Sequence, residues 1–167
     1  MNYITRIAIT DDIPSIREIY NQGIEDRIAT LETTLRSDED MYAWLTNRSD
    51  SHKVLVIEDE TGNVDGWASL NVFNSRCCYS GVVDISIYIR RELRGKGLGK
   101  TLLNALIQAA KEQGFHKVVL STFLSNKAGQ HLYRSLGFRE VGTYIQHGIL
   151  DGKWVDVTIM EKILSAH

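Results

Sequence analysis

Apolar residues recur along this chain with two periods, and the switches between them mark out the elements. Alternation over Ile4–Ile9 predicts a short strand. Behind it Ile13, Ile16, Ile19 and Tyr20 recur at helical spacing, with Thr10, Asp11 and Asp12 as offered N-caps and Gly23 as the expected end. Ser37-Asp38-Glu39-Asp40 resembles a capping box and opens a second helix with Met41, Trp44 and Leu45 on one side. Val54–Asp59 and Val64–Phe73 read as strands of a hairpin closed by Thr61-Gly62-Asn63, and Val82–Ile89 follows as a strand after a polar loop. Connections this short make the three strands antiparallel neighbours.

In the second half, Leu98, Leu102, Leu103, Leu106, Ile107 and Ala110 mark a helix that Gly114 can terminate as a left-handed residue. Lys117–Phe123 reads as a strand, and Asn126 precedes a helix bearing Ala128, Leu132 and Leu136 and stopped by Gly137. Strands are expected at Phe138–Tyr144 and Lys153–Ile163, with Asp151-Gly152 signalling the turn before the last. The order β-α-α-β-β-β-α-β-α-β-β predicts an α/β fold, a mixed sheet with helices on its faces. No repeat, low-complexity segment or linker interrupts it, so residues 1–167 are expected to form a single domain.

Composition agrees with this and narrows the partners. A chain of 167 residues, 43% hydrophobic and 24% charged, suits one domain with a real core. The formal net charge of −2 argues against a surface adapted to nucleic acid. No apolar stretch approaches the roughly 20 residues that span a bilayer, and the N-terminus lacks a signal-peptide pattern, so no membrane partner and a cytoplasmic location are expected. Cys77 and Cys78 are adjacent, with neither disulfide nor metal-ligand spacing, and no metal is expected.

Cations and glycines concentrate in Arg94-Gly95-Lys96-Gly97-Leu98-Gly99-Lys100, between a strand and a helix. The P-loop pattern GxxxxGK[ST] fails because its leading glycine falls on Arg94, and GxGxxG fails because its third glycine falls on Lys100. What remains is an R-x-x-G-x-G turn. It points successive backbone N–H groups and the positive end of a helix at one spot, with glycines that let a pyrophosphate approach closely.

This turn resembles the pyrophosphate loop of the GCN5-related N-acetyltransferase (GNAT) superfamily, and Asn126 with Leu132-Tyr133-Arg134-Ser135-Leu136-Gly137-Phe138 resembles its second cofactor motif. The resemblance runs from about Ile4 to Leu164 and implies the GNAT acyl-CoA N-acyltransferase fold, with a central, mostly antiparallel mixed sheet and helices on both faces. It implies acetyl-CoA as co-substrate, with its pantetheine arm on the splayed strand Ile87-Tyr88-Ile89. The other cofactor contacts expected are Arg94 to Lys100, Asn126 and Ser135. Within the superfamily the chain is most similar to the branch that acetylates phosphinothricin and methionine sulfone or sulfoximine, through Ile19-Tyr20-Asn21, Leu31-Glu32-Thr33, Gly66-Trp67-Ala68 and Trp154-Val155-Asp156-Val157. Asp84 stands where that branch has a glutamate, and Leu150 stands at a loop position where it has a lysine.

Direct transfer from a thioester to an amine needs a neutral amine, an oxyanion donor and a proton for the thiolate. Asp84 is the candidate base, through water because of its short reach, and Tyr133 the candidate acid. Phe73, Arg76 and Tyr79, before the catalytic strand, are candidate substrate contacts, with a guanidinium to clamp a carboxylate. His147 has no partner assigned by the sequence and is read as a structural or substrate-loop residue. The expected activity is N-acetylation of a small amino acid or analogue in a ternary complex. Acetylation of a protein amine and a non-catalytic acyl-CoA sensor are the alternatives, and the resemblance further implies a homodimer.

Overall fold

Strands that are apolar at nearly every position need cover on both faces, and this decides the layering. The computed structural model describes residues 2–164. In chain order its elements are β1 (Tyr3–Ile7), α1 (Ile13–Asp26), α2 (Asp38–Thr46), β2 (Val54–Asp59), β3 (Val64–Val72), β4 (Val82–Ile89), α3 (Leu98–Glu112), β5 (Lys117–Phe123), α4 (Lys127–Ser135), β6 (Arg139–Leu150) and β7 (Lys153–Ile163). The strands form one seven-stranded sheet in the order β1-β2-β3-β4-β5-β7-β6. Every neighbouring pair is antiparallel except β4 and β5, which run parallel.

The buried residues of β2 and β3 are divided between two layers. On one face α3 lays Leu98, Leu102, Leu103 and Leu106 against Leu55, Ile57, Ala68, Leu70, Val83 and Ile85, and α4 adds Leu132, Tyr133 and Leu136. On the other face Ile13, Ile16 and Ile19 of α1 and Met41 of α2 cover Val56, Val64 and Trp67. The expected mixed, mostly antiparallel sheet with helices on both faces is therefore what forms. The capping box forms too: Ser37 Oγ accepts from Asp40 N–H at 3.1 Å, and Asp40 Oδ2 accepts from Ser37 N–H at 2.9 Å.

Three boundaries differ from the sequence reading by two residues or more. The first strand stops at Ile7, because Thr10–Asp12 turn as a short 3-10 segment in which Asp12 accepts from Ile9 N–H at 2.9 Å. Helix α1 continues past Gly23 to Asp26 and ends where Arg27 takes φ 58°. Gly23 is there for close approach: a Cβ on it would lie 2.7 Å from the Tyr88 ring. Strand β6 runs to Leu150 across an irregularity between Tyr144 and Gly148 that Gln146 allows at φ 49°. Leu150, read as a loop residue, is the buried last residue of that strand. The turn after it has φ 50° at Asp151 and 76° at Gly152, the pair of positive angles that an Asp-Gly hairpin turn requires.

Candidate active site

The site begins with a break in the sheet. β4 and β5 share the pairs Val82↔Lys117, Val83↔Val118 and Asp84↔Val119, and then separate. Each keeps its other neighbour, β4 pairing with β3 as far as Ile89 and β5 with β7 as far as Phe123. The bond from Arg90 N–H to Asp65 O, 2.8 Å, fixes the parity of β4. Ser86 and Tyr88 turn their backbone groups to β3, whereas Ile87 and Ile89, beyond the last pair with β5, turn theirs into the gap. Of the expected strand Ile87-Tyr88-Ile89, two residues thus offer backbone to the opening, while the Tyr88 ring packs on Trp67 and Tyr20.

At the point of separation lies a cavity of about 170 Å³ lined by Asp84, Ser86, Ile87, Tyr88, Asn126 and Tyr133, with Ala29, Ile85, Leu120, Ser121 and Thr122. Burial pushes the Asp84 carboxyl up to about 6, against an opposing hydrogen bond from the Asn71 amide. Burial likewise pushes Tyr133 up to about 12, so its hydroxyl stays protonated. Tyr88 is pushed up to about 12, again mainly by burial. The pair expected to carry the proton chemistry therefore meets in one chamber, with a carboxyl that titrates near neutrality opposite a phenol that does not.

The glycine loop leads from β4 into α3. Gly95 has φ 76° and Gly97, the N-cap of α3, has φ 89°. A Cβ on either would meet nothing within 4 Å, so the requirement is conformational and the surface above them is an open cradle with the α3 N-terminus at its base. Lys96 and Lys100 are exposed, and among the described residues neither enters an ion pair. The Arg94 guanidinium is engaged, donating to Asp26 Oδ2 at 2.6 Å and to Ile89 O at 3.3 Å. Leu98 is buried in the α3 core, and a Cβ on Gly99 would contact Leu132 at 3.4 Å. These features fit a pyrophosphate-bearing cofactor whose arm enters the gap between β4 and β5.

Asn126 lines the cavity while capping α4, its Oδ1 accepting from Gly129 N–H at 3.0 Å and its Nδ2 donating to Thr122 Oγ1 at 3.1 Å. Ser135 is exposed and donates to Leu132 O at 2.6 Å. Phe73, Arg76 and Tyr79 lie together on the exposed β3–β4 loop, with the Phe73 and Tyr79 rings 5.7 Å apart, and none of the three is in the cavity wall. Cys77 and Cys78 are free and exposed on that loop. His147 stacks on Tyr144 at 4.4 Å on the β6 bulge, away from this wall.

Two groups escaped the sequence reading. Asp26 binds both Arg91, at 2.8 Å, and Arg94, tying the end of α1 to the glycine loop across more than sixty positions, and Gln22 supports it by accepting from Arg91 N–H at 2.8 Å. Asn71, opposite Asp84 in the β3–β4 register, is the other. No local pattern distinguishes either from an ordinary surface or strand polar residue.

The chain is similar to known proteins along most of its length. The Acetyltransferase (GNAT) family model matches residues 14–138. An L-methionine sulfoximine/L-methionine sulfone acetyltransferase of Pseudomonas aeruginosa is 36% identical over 162 residues, covering 96% of this chain and 94% of that protein. A phosphinothricin acetyltransferase of Sinorhizobium meliloti, solved in complex with acetyl-CoA, superposes with a TM-score of 0.91 at 32% identity, over 99% of this chain and 90% of that one. A ribosomal-protein-alanine N-acetyltransferase of Brucella melitensis superposes with a TM-score of 0.93 at 38% identity, over 96% and 99%. A family model over most of the chain, and relatives more than a third identical along nearly all of it, leave one assignment: the chain belongs to the acetyltransferase (GNAT) family and is an acetyl-CoA-dependent N-acetyltransferase.

Proposed function

We propose that this enzyme acetylates the α-amino group of a small amino acid or analogue of the methionine sulfone, methionine sulfoximine or phosphinothricin type, by direct transfer in a ternary complex. The observation that carries the reading is the shared chamber of Asp84 and Tyr133, at the fork of β4 and β5 and small enough for a compact acceptor. Acetyl-CoA supplies an activated acyl carbonyl and a thiol leaving group. The chain supplies the rest. The Ile87 N–H, free toward the gap, donates to the carbonyl oxygen; Asp84 takes the ammonium proton through a water; and the Tyr133 hydroxyl offers a proton to the departing sulfur.

Beside this chamber, sharing Ser86 with it, a second cavity of about 260 Å³ is walled by Trp44, Trp67, Met41 and Tyr20, with Glu32 and Arg36 at hand. It is the place for the acceptor's side chain. Arg76, exposed on its loop, would meet the acceptor's carboxylate at the outer end. The same reading includes a cytoplasmic location and a homodimer, the latter supported by Tyr144, Ile145 and Ile149 of edge strand β6 and Trp154 of β7, all more than half exposed.

CoA release measured across amino-acid sulfones, sulfoximines, phosphinothricin, polyamines and N-terminal peptides tests the substrate. The sulfone and sulfoximine should be turned over with the highest kcat/KM. The Brucella relative's name favours a second reading, a protein N-terminal amine, which a peptide outrunning every free amino acid would establish.

Two further outcomes are expected. Initial-rate plots should intersect, and the Cys77→Ala/Cys78→Ala double variant should keep its activity, because these thiols lie on an exposed loop with no base assigned to them. An acetyl-cysteine isolated on the kinetic path would end the direct-transfer reading. Lys96→Ala should weaken CoA binding severalfold at low salt and little at high salt, since an exposed ammonium acts on a phosphate through a screened field. Calorimetric titration with CoA at two salt concentrations reads this difference.

A further inference from the structure

A hydrogen-bonded chain runs from a partly buried cation to Asn71, the cross-strand partner of Asp84. Arg48, just beyond α2, holds its guanidinium 4.6 Å from the Trp44 ring centroid. It donates Nε–H to His52 O at 2.8 Å, and Nη2–H to Leu70 O at 2.8 Å and Asn71 Oδ1 at 2.9 Å. A guanidinium has donors and no acceptor, so the Asn71 atom that meets it must be the amide oxygen. Ser69 Oγ donates to that same oxygen at 2.9 Å. The amide nitrogen is thereby turned the other way. One of its hydrogens reaches Ser86 Oγ at 3.1 Å, which leaves the amide nitrogen on the side of Asp84, the cross-strand partner of Asn71, whose carboxyl Asn71 pulls down against burial.

We propose that Arg48 and Asn71 are a positioning pair, in which Arg48 locks the Asn71 amide in the one orientation that presents an N–H to Asp84. Its catalytic meaning rests on the assignment of Asp84 as base. An aspartate is one methylene shorter than the glutamate of the resembling branch, and a donor fixed on the neighbouring strand holds the shorter carboxylate toward the chamber. Neither member of the pair touches the reacting atoms. The groups facing Asp84 leave little else to do this. Besides Asn71 from β3, the chamber presents Ser86 and Tyr88 from β4, Ser121 and Thr122 from β5, Asn126 from the loop and Tyr133 from α4. Among the described residues, no lysine, arginine, histidine or second carboxylate is in its wall. A hydrogen bond offered to the ionised form is then what opposes burial, and its removal raises the carboxyl's titration point.

The test reads Asp84 directly, by carbon-13 carboxyl NMR titration of the apo protein, with its signal assigned from its loss in Asp84→Asn, alongside the pH profile of kcat/KM. Asn71→Leu should move the Asp84 midpoint upward by about one pH unit, the scale of one hydrogen bond to a charged group. Arg48→Met should move it the same way by less, since the freed amide can turn over, and the double variant should go no further than Asn71→Leu alone. Arg48→Lys keeps the charge and loses the fork; it carries the same expectation if the methionine variant does not fold. An unmoved midpoint in Asn71→Leu, an unmoved midpoint in the Arg48 variants, or additive shifts in the double variant would overturn the pair. If the NMR midpoint moves as expected while the acid limb of kcat/KM stays at its wild-type position, the pair is upheld and Asp84 loses its assignment as base.

Discussion

Gly97→Val is expected to reduce CoA affinity by about a hundredfold or more while leaving the sheet folded, because the valine acts on backbone conformation at the start of α3. Gly97 sits at φ 89°, where a β-branched residue is strained, and the space above it is empty of protein. To relieve that strain the loop must turn, and the N–H groups of the loop and of the first turn of α3 turn with it. Each hydrogen bond from an N–H to an anion contributes about 1.5–3 kcal/mol, so losing one or two accounts for the expected loss. A side chain there would also stand where a pyrophosphate has to approach. Gly97→Ala should fall between wild type and valine. Calorimetric titration with CoA, beside a thermal melt, separates loss of binding from loss of fold; near-wild-type affinity in a folded valine variant would mean that the pyrophosphate is held elsewhere.

That loop was legible in the sequence because its requirements are local. Glycines that need positive φ, a helix beginning at Leu98 and cations without acidic neighbours occur within seven residues. Asn126 was legible for the same reason, as a cap in front of a helical pattern. The fork between β4 and β5 was not derivable from periodicity, since Val82–Ile89 and Lys117–Phe123 read as ordinary strands, and only the family resemblance implied that the first splays. Long-range contacts decided the other misses. Gly23 reads as a helix terminator until the Tyr88 ring is seen against it, and Gln146 gives no sign that β6 continues through a bulge to Leu150. Asn71 and Arg48 lie 23 positions apart, and their link to Asp84 depends on the register of β3 on β4. Asp26, likewise, looks like one more acidic residue at a helix end until Arg91 and Arg94 fold onto it.

Asp84→Asn should lower turnover at neutral pH by about 10²- to 10⁴-fold, roughly 3 to 5 kcal/mol of barrier, with CoA affinity nearly unchanged. Tyr133→Phe should do likewise, for the opposite end of the proton transfer. Raising the pH distinguishes them: it deprotonates the acceptor amine without help, and so should rescue Asp84→Asn more than Tyr133→Phe. The same carboxyl makes a stability prediction of opposite sign. Its native pKa of about 6 lies above the ordinary value of 3.8, so the native protein binds that proton more tightly than the unfolded chain. The group's contribution is most favourable below pH 4 and is lost as pH rises through about 6, where a partly buried carboxylate must be kept ionised. Asparagine has the same shape and no charge, and it can still accept from Asn71. Asp84→Asn should therefore melt higher than wild type at pH 7 to 8, by an increment on the order of 1–3 kcal/mol, and the gain should fade toward pH 4. A variant that loses turnover and gains stability over the same pH window is what a base held against its solvation preference predicts. If Asp84→Asn loses activity and melts lower at every pH, the residue is a structural hydrogen-bonding partner; if its pH–rate profile matches wild type, the amine sheds its proton to solvent before it binds.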